Sequence, residues 1–122
     1  TEIYTLSLHD ALPILAQGAG LGLRVHFDRM PLISCAKKHA SEWRFPGGAS
    51  DNRLYFGGHV RFDDAIPEEF QMLLFDPQTS GGLLIGVPEE KIDGFLQRAV
   101  EMAQPAWEIG EVVEGDRITV VA

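Results

Sequence analysis

The stretch Leu83–Val100, LLIGVPEEKIDGFLQRAV, decides the architecture. Its first five residues, Leu83 to Val87, form an unbroken apolar run, the pattern of a strand in the middle of a sheet. Pro88 then opens a helix. Ile92, Phe95, Leu96, Ala99, Val100 and Ala103 recur at helical spacing and make one apolar face, while Glu89, Glu90 and Lys91 stand near its start. Pro105 lies just past its end. Ala106–Val113 alternates as a strand, Glu114-Gly115-Asp116 reads as a hairpin turn, and Arg117–Val121 reads as the last strand. Strand, helix, strand, hairpin and strand in this order predict an α/β (α+β) sandwich, a mixed β-sheet with packed helices.

Working towards the N-terminus, Pro67–Leu74 reads as a helix. Glu68 and Glu69 favour the positive end of its dipole, and Phe70, Leu73 and Leu74 form its buried stripe. Phe45-Pro-Gly-Gly-Ala-Ser-Asp-Asn52 is a loop by composition, and Leu54-Tyr-Phe56 is a short apolar patch after it. Ile33–Trp43 is weakly helical. Leu23–Phe27 alternates as a half-buried strand, after a helix end and glycine-rich turn over Leu15–Gly22. Thr1–Ile14 has neither a helical nor a strand period, and it lacks the basic start of a signal peptide.

The chain has 122 residues, enough for one domain that buries roughly two-thirds of the surface its unfolded form exposes. A formal charge of -8 argues against nucleic-acid or anionic-membrane binding, because both need a basic surface. No apolar run approaches the roughly 20 residues of a membrane helix. Cys35 is the only cysteine, so no internal disulfide is possible and a cytoplasmic location is the expectation. The four histidines and Cys35 show no metal-ligand spacing, and no metal site is expected.

The chemistry-bearing candidate is Asp76-Pro-Gln-Thr-Ser-Gly-Gly-Leu-Leu84. Pro77 fixes its own φ and pushes Asp76 into an extended conformation. Gln78, Thr79 and Ser80 set three polar side chains in a row, and Gly81 and Gly82 free the backbone to approach another group. Backbone N–H groups and hydroxyls on such a loop can receive an oxyanion such as phosphate. The same composition also suits a plain polar turn before a core strand. For Asp76 the two readings are a turn-capping carboxylate and a carboxylate that orients Thr79 and Ser80.

DPQTSGGLL, followed by a strand, a helix and the closing IGEVVEGDRITV, resembles the C-terminal domain of selenophosphate synthetases, in the aminoimidazole ribonucleotide synthetase superfamily. FPGGASDN resembles that family's Pro-Gly-Gly…Asn segment, although the family often has a hydroxyl residue where Ala49 stands. HVRFDDAIPEEFQMLLFDPQTSGG resembles the lead-in to the main motif, and GAGLGLRV the start of the domain. The resemblance covers Leu15 to Ala122. It implies an enzyme that converts ATP, selenide and water to selenophosphate, AMP and phosphate with Mg²⁺ and usually K⁺. The family protein is a homodimer that holds nucleotide mainly through an N-terminal domain. The family's nucleophilic Cys or selenocysteine and its partner Lys lie in that N-terminal half, so no catalytic residue is expected here and the chain should be inactive alone. Asp76, Gln78, Thr79, Ser80, Gly81 and Gly82 are the expected phosphate-proximal loop.

Thr1–Ile14 stands where the family carries an Asp-Val-Thr-Gly-Phe-Gly segment and does not match it. It reads as a foreign, adapter-like artefact, with the domain at 15–122. Two competing readings are another ATP-dependent member of the superfamily, and a stand-alone dimerisation or binding domain without catalysis. The remaining candidates read as structural: Cys35 as incidental, His26, His39 and His59 as surface or packing residues, Trp43 and Trp107 as packing, and Asp63-Asp64 as a solvated turn rather than a metal pair.

Overall fold

The structure is a computed structural model that describes residues 2–4, 20–78 and 83–122. It is an α+β fold built on a six-stranded mixed sheet, in the order β3–β6–β2–β5–β1–β4. The strands are β1 (Glu2–Tyr4), β2 (Leu21–His26), β3 (Val60–Phe62), β4 (Ile85–Val87), β5 (Gly110–Glu114) and β6 (Ile118–Val121). The helices are α1 (Ala36–Ser41), α2 (Gly47–Phe56), α3 (Glu68–Leu73) and α4 (Ile92–Glu101).

The expected alternation in β2 is present. Leu23 and Val25 are buried, and Arg24 faces solvent, where it ion-pairs across the strand with its register partner Glu111 at 2.8 Å. β6 alternates likewise, with Ile118 and Val120 inward. These side chains join Phe27, Ile66, Leu74 and Ile109 in one core cluster. The helical layer closes over it through aromatic contacts. Phe27, just after β2, stacks on Phe70 of α3 at 6.2 Å, and Phe62 of β3 meets Phe75 edge-on at 5.9 Å. The Lys37 ammonium of α1 lies 5.8 Å from the Phe27 ring centre and 5.7 Å from that of Phe70, within cation–π range of both.

Several expectations are corrected. The turn at Glu114-Gly115-Asp116 does not close a hairpin. β2 lies between β5 and β6, pairing antiparallel with β5 and parallel with β6. The chain therefore steps over the start of β2. Gly115 makes the step at φ +135, and Gly22 makes room for it: a Cβ on Gly22 would meet the Val113 side chain and the Glu114 and Arg117 carbonyl oxygens at 3.1–3.3 Å. The amide of Leu23 then donates to the Arg117 carbonyl at 3.0 Å. β4 is not central. Among the described residues it is an edge strand of three residues, and Leu83 before it is 79% exposed. Residues 2–4, where the sequence shows no strand period, pair with both β5 and β4.

The predicted loop over 45–52 is largely helix, since α2 begins at Gly47 behind the extended Pro46. The helices expected over 33–43, 67–74 and from Pro88 are found as α1, α3 and α4, each shorter, with a 3-10 turn at Glu89–Lys91 before α4. Gly20 has the positive φ (+63) expected of the glycine-rich turn, while residues 15–19 lie outside the described residues. Among the described residues, no helix is long and apolar enough to cross a membrane.

Candidate functional site

The lead into the candidate loop leaves the core at Phe75, which is 3% exposed. Met72, Leu74 and Phe75 are all buried, so the backbone is anchored up to that residue. Asp76 is half-buried, and Pro77 and Gln78 are exposed. The Gln78 side-chain amide donates to the Asp76 carboxylate at 3.4 Å, a long contact between exposed groups. Thr79, Ser80, Gly81 and Gly82 lie outside the described residues.

Two segments that read as separate loops in the sequence adjoin here. Gly48, in the first turn of α2, faces Pro77 so closely that a Cβ on it would stand 3.1 Å from the proline Cγ. One turn further along α2, the Asn52 side-chain amide donates to the Phe75 carbonyl at 3.0 Å. Arg53, the next residue, ties α2 to α3 by an ion pair with Glu68 at 2.8 Å and a contact with the Met72 sulfur at 3.4 Å. Ala49 fills the space beneath with no exposed surface. The short side chain at this position is thus a packing requirement. Sequence reasoning places Gly48 and Asn52 only as part of a loop and misses Arg53 and Glu68. The signal available was the Gly-Gly-x-x-x-Asn spacing, which on a helix places Gly48 and Asn52 four residues apart on one face.

An open groove of about 690 Å³ runs along another side of α2, lined by Trp43, Phe45, Arg53, Leu54, Gly58 and Met72. Trp43 is 54% exposed and packs edge-on against Phe45 at 6.1 Å. Asp63 behaves as a turn residue, its carboxylate accepting the Ala65 amide at 2.9 Å. Cys35 is exposed and free. Among the described residues, no three or more His, Cys, Asp or Glu side chains gather as metal ligands would.

Residues 7–122 match the family model for the C-terminal domain of AIR synthase related proteins. The chain belongs to this family. Its relatives in the AIR synthase related group include the selenide, water dikinase of Burkholderia ambifaria, 39% identical over 83% of this chain and 29% of the relative. Those of Pelobacter propionicus (39% over 93% of this chain, 33% of the relative) and Pseudomonas aeruginosa (33% over 98%, 34% of the relative) are similar too. The resemblance read from DPQTSGGLL is thereby borne out: this is a selenophosphate synthetase-related C-terminal domain of the AIR synthase group. The chain spans about a third of the length of the curated relatives it matches.

Proposed function

We propose that this domain is the C-terminal part of an ATP-dependent selenophosphate synthetase, which converts ATP, selenide and water to selenophosphate, AMP and phosphate. The observation that carries this is the junction of its two motif segments, Gly48 against Pro77 and Asn52 on the Phe75 carbonyl. Segments distant in sequence and shared with one family converge on the lead-in to one polar, glycine-rich stretch. Phosphoryl transfer asks a protein mainly for positioning and charge neutralisation, and a loop of this composition supplies N–H and hydroxyl donors for both.

In this reading Thr79, Ser80, Gly81 and Gly82 offer donors to phosphate groups, and Asp76 and Gln78 lead into that loop. The nucleophile and the residues that bind Mg²⁺, K⁺ and most of the nucleotide stand in an N-terminal domain beyond this chain. The whole protein works as a homodimer in the cytoplasm, and 15–122 alone is inactive.

The test is to measure AMP and phosphate release from ATP and selenide by the chain alone and by the full-length protein that contains it. The chain alone should give none and the full-length protein should give both. Gly82→Val in the full-length protein should cut turnover by about tenfold or more while leaving the melting temperature nearly unchanged. Parallel loss of folded protein and activity would sink the loop's assignment. Sequencing the DNA upstream of the Leu15 codon tests the N-terminal reading. An Asp-Val-Thr-Gly-Phe-Gly segment behind a longer domain is expected there. A start codon directly before Thr1 favours a stand-alone binding domain instead.

A further inference from the structure

We propose that Asn52 is a positioning residue for that reaction, and that α2 serves as a brace fixing the backbone from which the polar loop departs. The inference rests on the functional reading above. Up to Phe75 the chain is locked by burial, and at Asp76 that anchoring ends. The bond within the lead-in, Gln78 to Asp76, is long and solvent-exposed, so it fixes little. Apart from the long bond from the Asp76 amide to the Leu73 carbonyl at 3.4 Å, what holds the lead-in comes from α2. The half-buried Asn52 side-chain amide donates to the Phe75 carbonyl at 3.0 Å, and Gly48 seats Pro77 by leaving no Cβ in its way. α2 is in turn fixed to α3 through Arg53 and Glu68 at 2.8 Å, and α3 runs directly into Phe75. Helix, lead-in and α3 thus form a closed loop of contacts in which Asn52 supplies the side-chain polar contact to the lead-in backbone.

A buried or half-buried carbonyl that loses its donor either stays unsatisfied or rotates towards water. Either response re-aims the peptide unit between Phe75 and Asp76. Small misplacements of positioning groups lower the rate without weakening substrate binding in proportion. The role of Asn52 is therefore separable from a plain contribution to stability.

The experiment compares Asn52→Ala and Asn52→Asp in the full-length protein. Alanine removes the donor and improves helix propensity, so a loss cannot be laid to a weaker helix. Aspartate keeps the shape, lacks the donor and sets a carboxylate against the Phe75 carbonyl. Both should lower kcat by about tenfold or more with KM for ATP within about twofold. Both should also speed amide exchange at Asp76 and Gln78 while the amides of Val25 and Val120 stay protected. If the Asn52→Asp variant matches wild type, only the shape matters and the proposal fails. It fails equally if kcat falls in step with the folded fraction, or if exchange at Asp76 and Gln78 does not change. If the wild-type protein makes no AMP, the functional reading falls first and the catalytic part of this role with it. Amide exchange then still reports whether Asn52 holds the Phe75–Gln78 backbone.

Discussion

Helices α2 and α4 are the same length, ten residues each, and invite opposite judgements. α4 carries the clearest amphipathic stripe in the chain, yet none of its residues is fully buried. Ile92, Phe95, Leu96 and Ala99 are half-covered, and Val100 is 80% exposed. α2 has almost no apolar stripe and begins Gly-Gly, yet it buries Ala49 completely and makes three of the contacts that define the candidate site. Apolar periodicity reports which face of a helix avoids water. It does not report which helix a site depends on, because α2 is placed by specific polar and close-packed contacts rather than by a stripe.

The sharpest way to break this comparison is to overfill the space under α2. Ala49→Leu should cost about 1–3 kcal/mol, since Ala49 has no free surface into which added methyl groups could expand. Thermal unfolding followed by circular dichroism would show it. A neutral result would mean that α2 sits loosely on the core and that the contacts at Gly48 and Asn52 are not fixed.

The next largest effect should come from the α4 stripe. Leu96→Ala removes a half-covered side chain, so its cost should fall near or below the lower end of the roughly 2–5 kcal/mol seen for fully buried leucines. Urea unfolding checks it, with the midpoint moving and the slope unchanged. A cost at the upper end would show that α4 is more deeply packed in solution.

These cases also show how far the fold could be read in advance. β2 was legible because it exposes one face, and alternation is then imposed residue by residue: Leu23 and Val25 in, Arg24 out. The order of strands was not legible. Glu114-Gly115-Asp116 has the same turn chemistry whether the next strand pairs with the last or crosses over β2, and the crossing depends on Gly22, more than ninety residues away in the sequence. Leu83–Val87 read as central because an apolar run looks the same at a sheet's edge. Its only strand partner among the described residues is β1, from residues with no period. The site was legible as two motifs, DPQTSGG and FPGGASDN, but their contact was not. Two glycines hide a helix that is stabilised by its tertiary partners.

A smaller effect tests the polar side of α2. Arg53→Met removes the ion pair with Glu68 and the guanidinium contact to the Met72 sulfur but keeps an unbranched apolar side chain. Both charged groups are more than a third exposed, so screening limits the loss to about 1 kcal/mol or less. The loss should shrink further in high salt. A salt-independent loss would mean that the guanidinium contact with the Met72 sulfur, not the ion pair with Glu68, joins α2 to α3.

The smallest effect should come from Val100, at the exposed margin of the α4 stripe. Val100→Lys places a cation near the negative C-terminal end of the helix and trades a β-branched residue for a better helix former. Those gains roughly offset the little apolar contact that an 80%-exposed side chain can lose, so stability should change by no more than about 0.5 kcal/mol. Unfolding and light-scattering mass, measured on the same samples, give the discrimination. A loss above about 2 kcal/mol together with a fall from dimer to monomer mass would mean that the stripe is covered by a second copy in solution. The weak burial of α4 would then belong to the isolated chain, and the contrast with α2 would lie in what each helix packs against rather than in how tightly it packs.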